Sequence, residues 1–156
     1  MSKVPPQPPP IRNRKASFRY EVLEKLEAGI VLTGSEVKSL RSGRASLDEA
    51  YAMVRGSEVV LRDCNISPYE NAGYAQHAPT RERRLLLHRR EIRKLLSKVT
   101  QRGLTLIPLA MYFNERGLVK LQLALCRGKK AHDRRSDIQK RDQQREMDRA
   151  MKRRRT

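Results

Sequence analysis

Glu27-Ala-Gly-Ile-Val-Leu-Thr-Gly-Ser-Glu-Val-Lys-Ser-Leu-Arg41 is the stretch that decides how this chain folds. Ile30, Val31 and Leu32 form a β-branched, apolar run of strand character, which predicts a buried strand. Thr33 followed by Glu36 has the spacing of a capping box, so a helix starts there. That helix turns Val37 and Leu40 inward and Lys38 and Arg41 outward, and Gly43 suits the position just past its end. Strand, cap, helix and stop therefore fall within one short segment and leave a basic edge at the corner.

Upstream, Phe18, Tyr20 and Val22 alternate with Arg19 and Glu21, the period-2 pattern of a half-buried strand. Gly29 predicts a bulge or sharp bend in the strand that continues to Leu32. Asn13-Arg14-Lys15 opens the ordered part. Residues 1–12 hold Pro5, Pro6, Pro8, Pro9 and Pro10 and read as a disordered, extended leader.

Downstream, Ser46-Leu-Asp-Glu49 predicts a short helical turn. Tyr51–Val54 and Val59–Leu61 flank Arg55-Gly-Ser-Glu58 as a β-hairpin whose second strand runs to about Ile66, before Pro68. Residues 67–83 form a long loop. Ile92, Leu95, Leu96 and Val99 give one apolar stripe on a helix from Arg89 to Gln101, ended by Gly103. Leu104–Phe113 and Leu118–Cys126 form a second hairpin around Asn114-Glu-Arg-Gly117. The chain thus reads as mainly β with flanking helices, a small closed antiparallel barrel of about six strands of the oligonucleotide-binding type, because closure removes exposed edges.

The charge balance narrows the partners. A net charge of +18 on 156 residues points to an anionic surface, nucleic acid above all. Residues 127–156 carry 13 Lys+Arg against 5 Asp+Glu and have no aromatic residue, so they read as a separate tail, disordered alone and helical when neutralised. The domains expected are the leader 1–12, the barrel 13–126 and the tail 127–156. With no apolar span and no signal-like N-terminus, a cytoplasmic protein is expected. Cys64 and Cys126 read as buried, reduced thiols.

No catalytic constellation or cofactor motif stands out. His77, His88 and His132 are scattered, and Asp48, Glu49 and Glu82 read as solvated surface carboxylates rather than a nuclease metal site. The expected role is non-enzymatic binding, with cations neutralising phosphate and aromatic rings available for stacking. Tyr20 and Tyr51 fit either stacking platforms or core rings with wet hydroxyls. In Leu85-Leu-Leu-His88, strand alternation would turn one leucine outward.

Glu27-Ala-Gly29, Gly34-Ser-Glu-Val-Lys-Ser-Leu-Arg41, Asn65-Ile-Ser-Pro68, Arg84-Leu-Leu-Leu87 with Arg90-Glu91, and Gly128-Lys-Lys-Ala-His-Asp-Arg-Arg135 together resemble the small protein B family, the SsrA-binding partners of transfer-messenger RNA (tmRNA). The resemblance spans Asn13 to the C-terminus. It implies an oligonucleotide-binding barrel that clasps the tRNA-like domain of tmRNA and stands in for the missing anticodon arm. It further implies delivery of alanyl-tmRNA to stalled ribosomes, with indirect association with the elongation factor that carries it. The tail would enter the vacant mRNA channel beside the small-subunit decoding centre. Asn13, Glu27 and Leu86 match family positions used against RNA. The basic and aromatic residues Arg14, Tyr20, Lys38, Tyr51, Arg89, Lys129 and Lys130 complete the expected tmRNA-binding set. His132, Asp133, Arg134 and Arg135, with Lys140 and Arg141, make up the expected decoding-centre tail, with Arg134 where the family more often has lysine. A monomer with no membrane partner is expected. The barrel and tail chemistry would equally allow a structural ribosomal or RNA-chaperone protein.

Overall fold

The computed structural model describes residues 6–100, 104–129 and 131–154. A short strand β1 (Ile11–Arg12) and one turn of helix α1 (Ala16–Arg19) lead into the long strand β2 (Tyr20–Ile30). Helix α2 (Gly34–Arg41) is followed by β3 (Ala45–Ser46), β4 (Tyr51–Arg55), β5 (Glu58–Arg62) and β6 (Asn65–Ile66). After a loop with a single 3-10 turn come β7 (Arg83–Leu86), α3 (Arg89–Val99), β8 (Leu104–Phe113), β9 (Val119–Gly128) and α4 (Ala131–Arg154).

All pairings are antiparallel. The strands run β8-β4-β5-β7-β2-β9, and β9 pairs back onto β8, so six strands close into a ring. β1 pairs with β8 outside that ring, and β3 with β6 forms a separate small ladder. Closure leaves no long open edge to template aggregation. Two strands of the wall made by β2, β9 and β8 carry bulges, one in β2 between Val22 and Glu24 and one in β8 between Pro108 and Ala110, the device by which a strand bends. Pro108 has no amide hydrogen to give to the ladder, which suits it to such a break.

The alternation read along the strands points Leu61, Leu85, Leu106, Leu121 and Leu123 into the ring, where they meet Ala28, Ile30 and Val59. Each such buried leucine contributes about 1.5–3 kcal/mol. Leu40 of α2 and Leu95 of α3 join the same core from outside the ring, with Ile92 and Val99 half-buried beside Leu95. A smaller cluster of Ala16, Ile107, Ala124 and Cys126 packs beneath α1.

The capping box forms: the Thr33 amide donates to Glu36 Oε1 at 2.9 Å, and Gly43 takes φ +71 just beyond α2. Glu36 also does something the cap does not require. It is fully buried and meets Arg83, itself fully buried, together with Arg81 at 2.6 Å. Arg83 goes on to donate to the carbonyls of Cys64 (2.7 Å) and Pro79 (3.2 Å). Nearby, Ser35 bonds the buried His77 ring at 2.8 Å, whose other nitrogen meets the Ile66 carbonyl at 2.9 Å. The loop that follows β6 is thus pinned onto α2 from two sides.

Several elements differ from the sequence-based expectation. β2 ends at Ile30, and Val31 is exposed, because the chain must turn to reach the Thr33 cap; the Val31 amide donates to the Arg84 carbonyl and its own carbonyl accepts from Arg81. Phe18 lies in α1 rather than in a strand, since Asn13 Oδ1 accepts the Lys15 and Ala16 amides (3.2 and 3.1 Å) and starts a helical turn. Gly29 is not a bulge. It pairs in register with both Lys120 and Leu86, and the bulge of that strand sits six residues earlier. Ser46–Glu49 is a strand end and turn, because Ala45 and Ser46 pair with Ile66 and Asn65. β5 stops at Arg62, as Asp63 adopts φ +56, so Asn65 and Ile66 belong to another ladder. The end of the 67–83 loop is already strand β7. Ile11 and Arg12, assigned to the leader, pair with Met111 and Ala110. β9 runs two residues past Cys126. Gly103 and residues 1–5 lie outside the described residues.

Candidate nucleic-acid interface

Across four neighbouring strands, Leu86 of β7, Gly29 of β2, Lys120 of β9 and Tyr112 of β8 stand in one register row. Directly opposed residues in a sheet share a face, and Leu86, 51% exposed, shows that this is the outer one. With strands about 4.8 Å apart, the row spans roughly 14 Å. Gly29 makes a dent in it: a Cβ there would lie 3.1 Å from Leu86 Cβ, so the leucine leans over bare backbone. Glu27, two residues earlier and therefore on the same face, is exposed and accepts a hydrogen bond from the Tyr112 hydroxyl. Burial, and then the neighbouring Glu27 carboxylate, push the Tyr112 phenol up to about 12, so it remains a donor at any working pH. Glu27, Gly29, Leu86, Leu87, His88, Glu91 and Lys120 enclose one shallow concavity.

α3 borders that concavity. Its polar face carries Arg89, Arg90, Arg93 and Lys94, all exposed, while Lys98 is tied to Glu24 of β2. Arg84, Arg89 and Arg93 also line the adjoining groove between α3 and the β4–β5 turn. The arrangement puts an apolar wall, a carboxylate and a cationic rim within one surface, which is suited to bases, ribose donors and phosphates respectively.

Of the residues expected from sequence to bind RNA, Glu27, Leu86 and Arg89 meet here. Asn13 and Arg14 lie elsewhere, beside β1. Asn13 donates from Nδ2 to the Pro108 carbonyl at 2.9 Å, so both ends of its amide take part in holding α1 on β8. Arg14 is exposed in a groove with Arg12 and Asp48. Tyr20 and Tyr51 are half-buried against the small core beneath α1, the packed arrangement of the two left open by the sequence. Lys38 sits over the Tyr69 ring, 5.3 Å from its centre. Lys129 donates to the Ser17 carbonyl at 2.7 Å and pairs with Asp137 of α4.

The tail forms helix α4, joined to α1 by polar and cation–π contacts. Arg141 bonds Ser17 Oγ at 3.1 Å and lies over Phe18 at 5.8 Å. The Asp137 carboxyl is held below its usual range by the Lys129 hydrogen bond first and by surrounding cations. Arg135 and Lys140 are exposed on α4. Lys130 and the side chains of His132, Asp133 and Arg134 lie outside the described residues.

Asp48, Glu49 and Glu82 do not converge: Glu49 pairs with Lys15 (2.7 Å) and Glu82 with Arg55 (2.6 Å). Among the described residues, no group of three or more His, Cys, Asp or Glu is placed to hold a metal ion, and no helix is long and apolar enough to cross a membrane. Tyr112 and Lys120 are the members of the outer row that residue-type reasoning missed. The signal for Lys120 was the alternation of Val119, Leu121, Leu123 and Leu125 along β9; Tyr112 became readable only through its register with Lys120, since β8 is a bulged, almost wholly apolar run.

A closed antiparallel ring with a mixed apolar and charged outer face, a basic helix beside it and a basic helical tail defines the class: a small, strongly basic β protein whose candidate site is a shallow, open face. A family model described as SmpB protein matches residues 10–153, and the chain belongs to that family. It is 55% identical over 142 residues to the SsrA-binding protein of Moorella thermoacetica, covering 91% of this chain and 92% of the relative. It is equally identical, over 141 residues, to the SsrA-binding protein of a Nostoc species, covering 90% of each. A solved structure described as "tmRNA-SmpB: a journey to the center of the bacterial ribosome" aligns with a TM-score of 0.68 at 52% identity, over 80% of this chain and 87% of that one.

Proposed function

We propose that this chain is a non-enzymatic tmRNA-binding adaptor for ribosome rescue by trans-translation. One observation carries the reading: a single family match runs unbroken from residue 10 to residue 153, through both the ring and the tail, and relatives matched over nine-tenths of their length are SsrA-binding proteins. The ring is then a barrel of the oligonucleotide-binding type that clasps the tRNA-like domain of tmRNA. Glu27 accepts from base or ribose donors, Leu86 packs on an unpaired base, and Arg89 with its neighbours on α3 neutralises phosphate. The protein acts in the cytoplasm as a monomer, stands in for the absent anticodon arm, and travels to the vacant A site with the elongation factor carrying alanyl-tmRNA.

The tail supplies the second contact. Among the described residues α4 has no apolar stripe to dock, and it meets α1 through polar and cation–π contacts. Such contacts weaken when a polyanion competes for Lys129 and Arg141. The tail is then free to refold in the empty mRNA channel, with His132, Asp133, Arg134 and Arg135 at the decoding centre and Lys140 and Arg141 beyond.

The test is a competition titration of the tRNA-like domain against bulk tRNA at one fixed salt, paired with a tagging assay on stalled ribosomes. Full-length protein should prefer the tRNA-like domain and support tagging. Truncation before Ala131 should keep the preference and abolish tagging. Equal binding to both RNAs would leave a general RNA-binding protein instead.

A further inference from the structure

In a chain with net charge +18, most glutamates of the folded part are matched to cations. Glu24, Glu36, Glu49, Glu58, Glu70 and Glu82 each face a lysine or arginine within 4.0 Å. Glu27 is different. Its Oε2 accepts from the neutral Tyr112 hydroxyl, and Oε1 has no partner among the described residues. Lys120 stands opposite Gly29 on the adjoining strand, two residues along from Glu27, yet makes no ion pair with it.

The choice of partner matters chemically. A guanidinium or ammonium would cancel the carboxylate's charge and occupy its best acceptor directions. A phenol supplies one hydrogen, fixes the plane of the carboxylate and leaves the negative charge standing. Gly29 and Leu86 add the rest of the setting: with no side chain at Gly29, Leu86 leans over that backbone, and exposed Glu27 lines the same shallow concavity. Glu27 is thereby presented as an ordered acceptor on a surface that also carries Lys120, the arginines of α3 and one further carboxylate, Glu91.

We infer that Tyr112 is a positioning residue of this face, holding Glu27 so that its free oxygen accepts from base amino or ribose hydroxyl donors of the bound RNA. This rests on the reading of Glu27 as an RNA contact, and it assigns specificity rather than phosphate affinity to the Tyr112–Glu27 pair.

The experiment is a double-mutant cycle on the full chain with Tyr112→Phe and Glu27→Ala, titrated with a transcript of the tRNA-like domain of tmRNA and with bulk tRNA at several salt concentrations. Tyr112→Phe should weaken binding to the tRNA-like domain about five- to tenfold, the size of one ordinary hydrogen bond, since the contact to RNA itself is loosened rather than removed. Binding to bulk tRNA and the dependence of log K on log salt should stay unchanged, because no phosphate contact is lost. In the Glu27→Ala background, Tyr112→Phe should add nothing. Glu27→Gln keeps an acceptor for the phenol but drops the charge. It should weaken binding at least as much as Tyr112→Phe, which no packing role of the ring would produce. A Tyr112→Phe effect that persists without Glu27 would make Tyr112 a direct contact and overturn the inference. A silent Tyr112→Phe beside a weakened Glu27→Ala would overturn it while sparing the proposed function. A silent Glu27→Ala would remove both.

Discussion

Glu36→Ala should be the most damaging single change in this protein outside the ring's leucines. The carboxylate is fully buried and serves three partners: the Thr33 amide at 2.9 Å, Arg81 at 2.6 Å and the buried Arg83. Losing the acceptor for the helix-start amide costs about 1 kcal/mol. Leaving the Arg83 guanidinium in the interior without its counter-charge costs about 3–5 kcal/mol. Arg83 keeps its bonds to the Cys64 and Pro79 carbonyls, which satisfy hydrogens but not charge. Arg81, 36% exposed, can turn to water and adds little. The sum is about 4–6 kcal/mol, a large share of the roughly 5–15 kcal/mol that holds a domain of this size. Arg81→Ala, the control, should cost about 1 kcal/mol or less. The assay is equilibrium urea unfolding followed by circular dichroism, with the midpoint shift read at a common slope. A Glu36→Ala loss below about 1 kcal/mol, equal to that of Arg81→Ala, would refute the claim that a buried ion pair pins α2 to β7 and the loop after β6. The pH dependence has a definite sign. Burial alone pushes the Glu36 carboxyl up, but hydrogen bonds from Arg81, the Thr33 amide and Arg83 outweigh it and hold the group below its ordinary range. Its stabilisation is therefore complete above about pH 4.5 and is lost as pH falls through the depressed value. Wild type should lose stability on acidification through that window more steeply than Glu36→Ala does.

Asn13→Ala removes bonds to the Pro108 carbonyl and from the Lys15 and Ala16 amides, so urea unfolding should show a loss of about 1–2 kcal/mol. Its RNA affinity should then fall through displacement of α1, with Arg14→Ala as the comparison for a direct phosphate contact. Gly29→Ala places a Cβ 3.1 Å from Leu86 Cβ and forces the leucine outward, so binding to the tRNA-like domain should drop severalfold. The stability change should stay within about 1 kcal/mol, as the glycine's entropic cost is recovered. Burial pushes the Cys64 and Cys126 thiols up to about 11 each. Iodoacetamide at pH 8 should leave both unmodified in the folded protein and alkylate both in urea, as mass spectrometry would count.

The local signals in the sequence were sound where one interaction range sufficed. The Thr33–Glu36 spacing, the apolar stripe of α3 and the two hairpins each depend on residues within a few positions of one another, and each forms, although β5 stops short at Arg62 and Leu96 of the stripe stays exposed. The Leu85–Leu87 run turned Leu86 outward, as strand alternation requires. Failures fell where two distant segments negotiate. Val31 looks like strand, but reaching the helix cap takes precedence. Gly29 looks like a bulge, but its missing side chain answers to Leu86, on a strand nearly sixty residues later in the chain. Ile11 and Arg12 follow a proline run and carry little β signal, and they pair only because β8 offers them an edge.

The sequence by itself determined the kinds of element, the basic character and its concentration in the tail, and the blocks that mark the family. Those properties are sums over neighbouring residues, and any fold would preserve them. The tertiary structure alone decided that six strands close on themselves, that Glu36 is spent on Arg83 rather than only on its cap, and that Glu27 is met by Tyr112, 85 residues away. Register and burial are set by the packing of the whole ring, since one residue's slip would turn every side chain of a strand to the other face. No local pattern of charge or hydropathy contains that information.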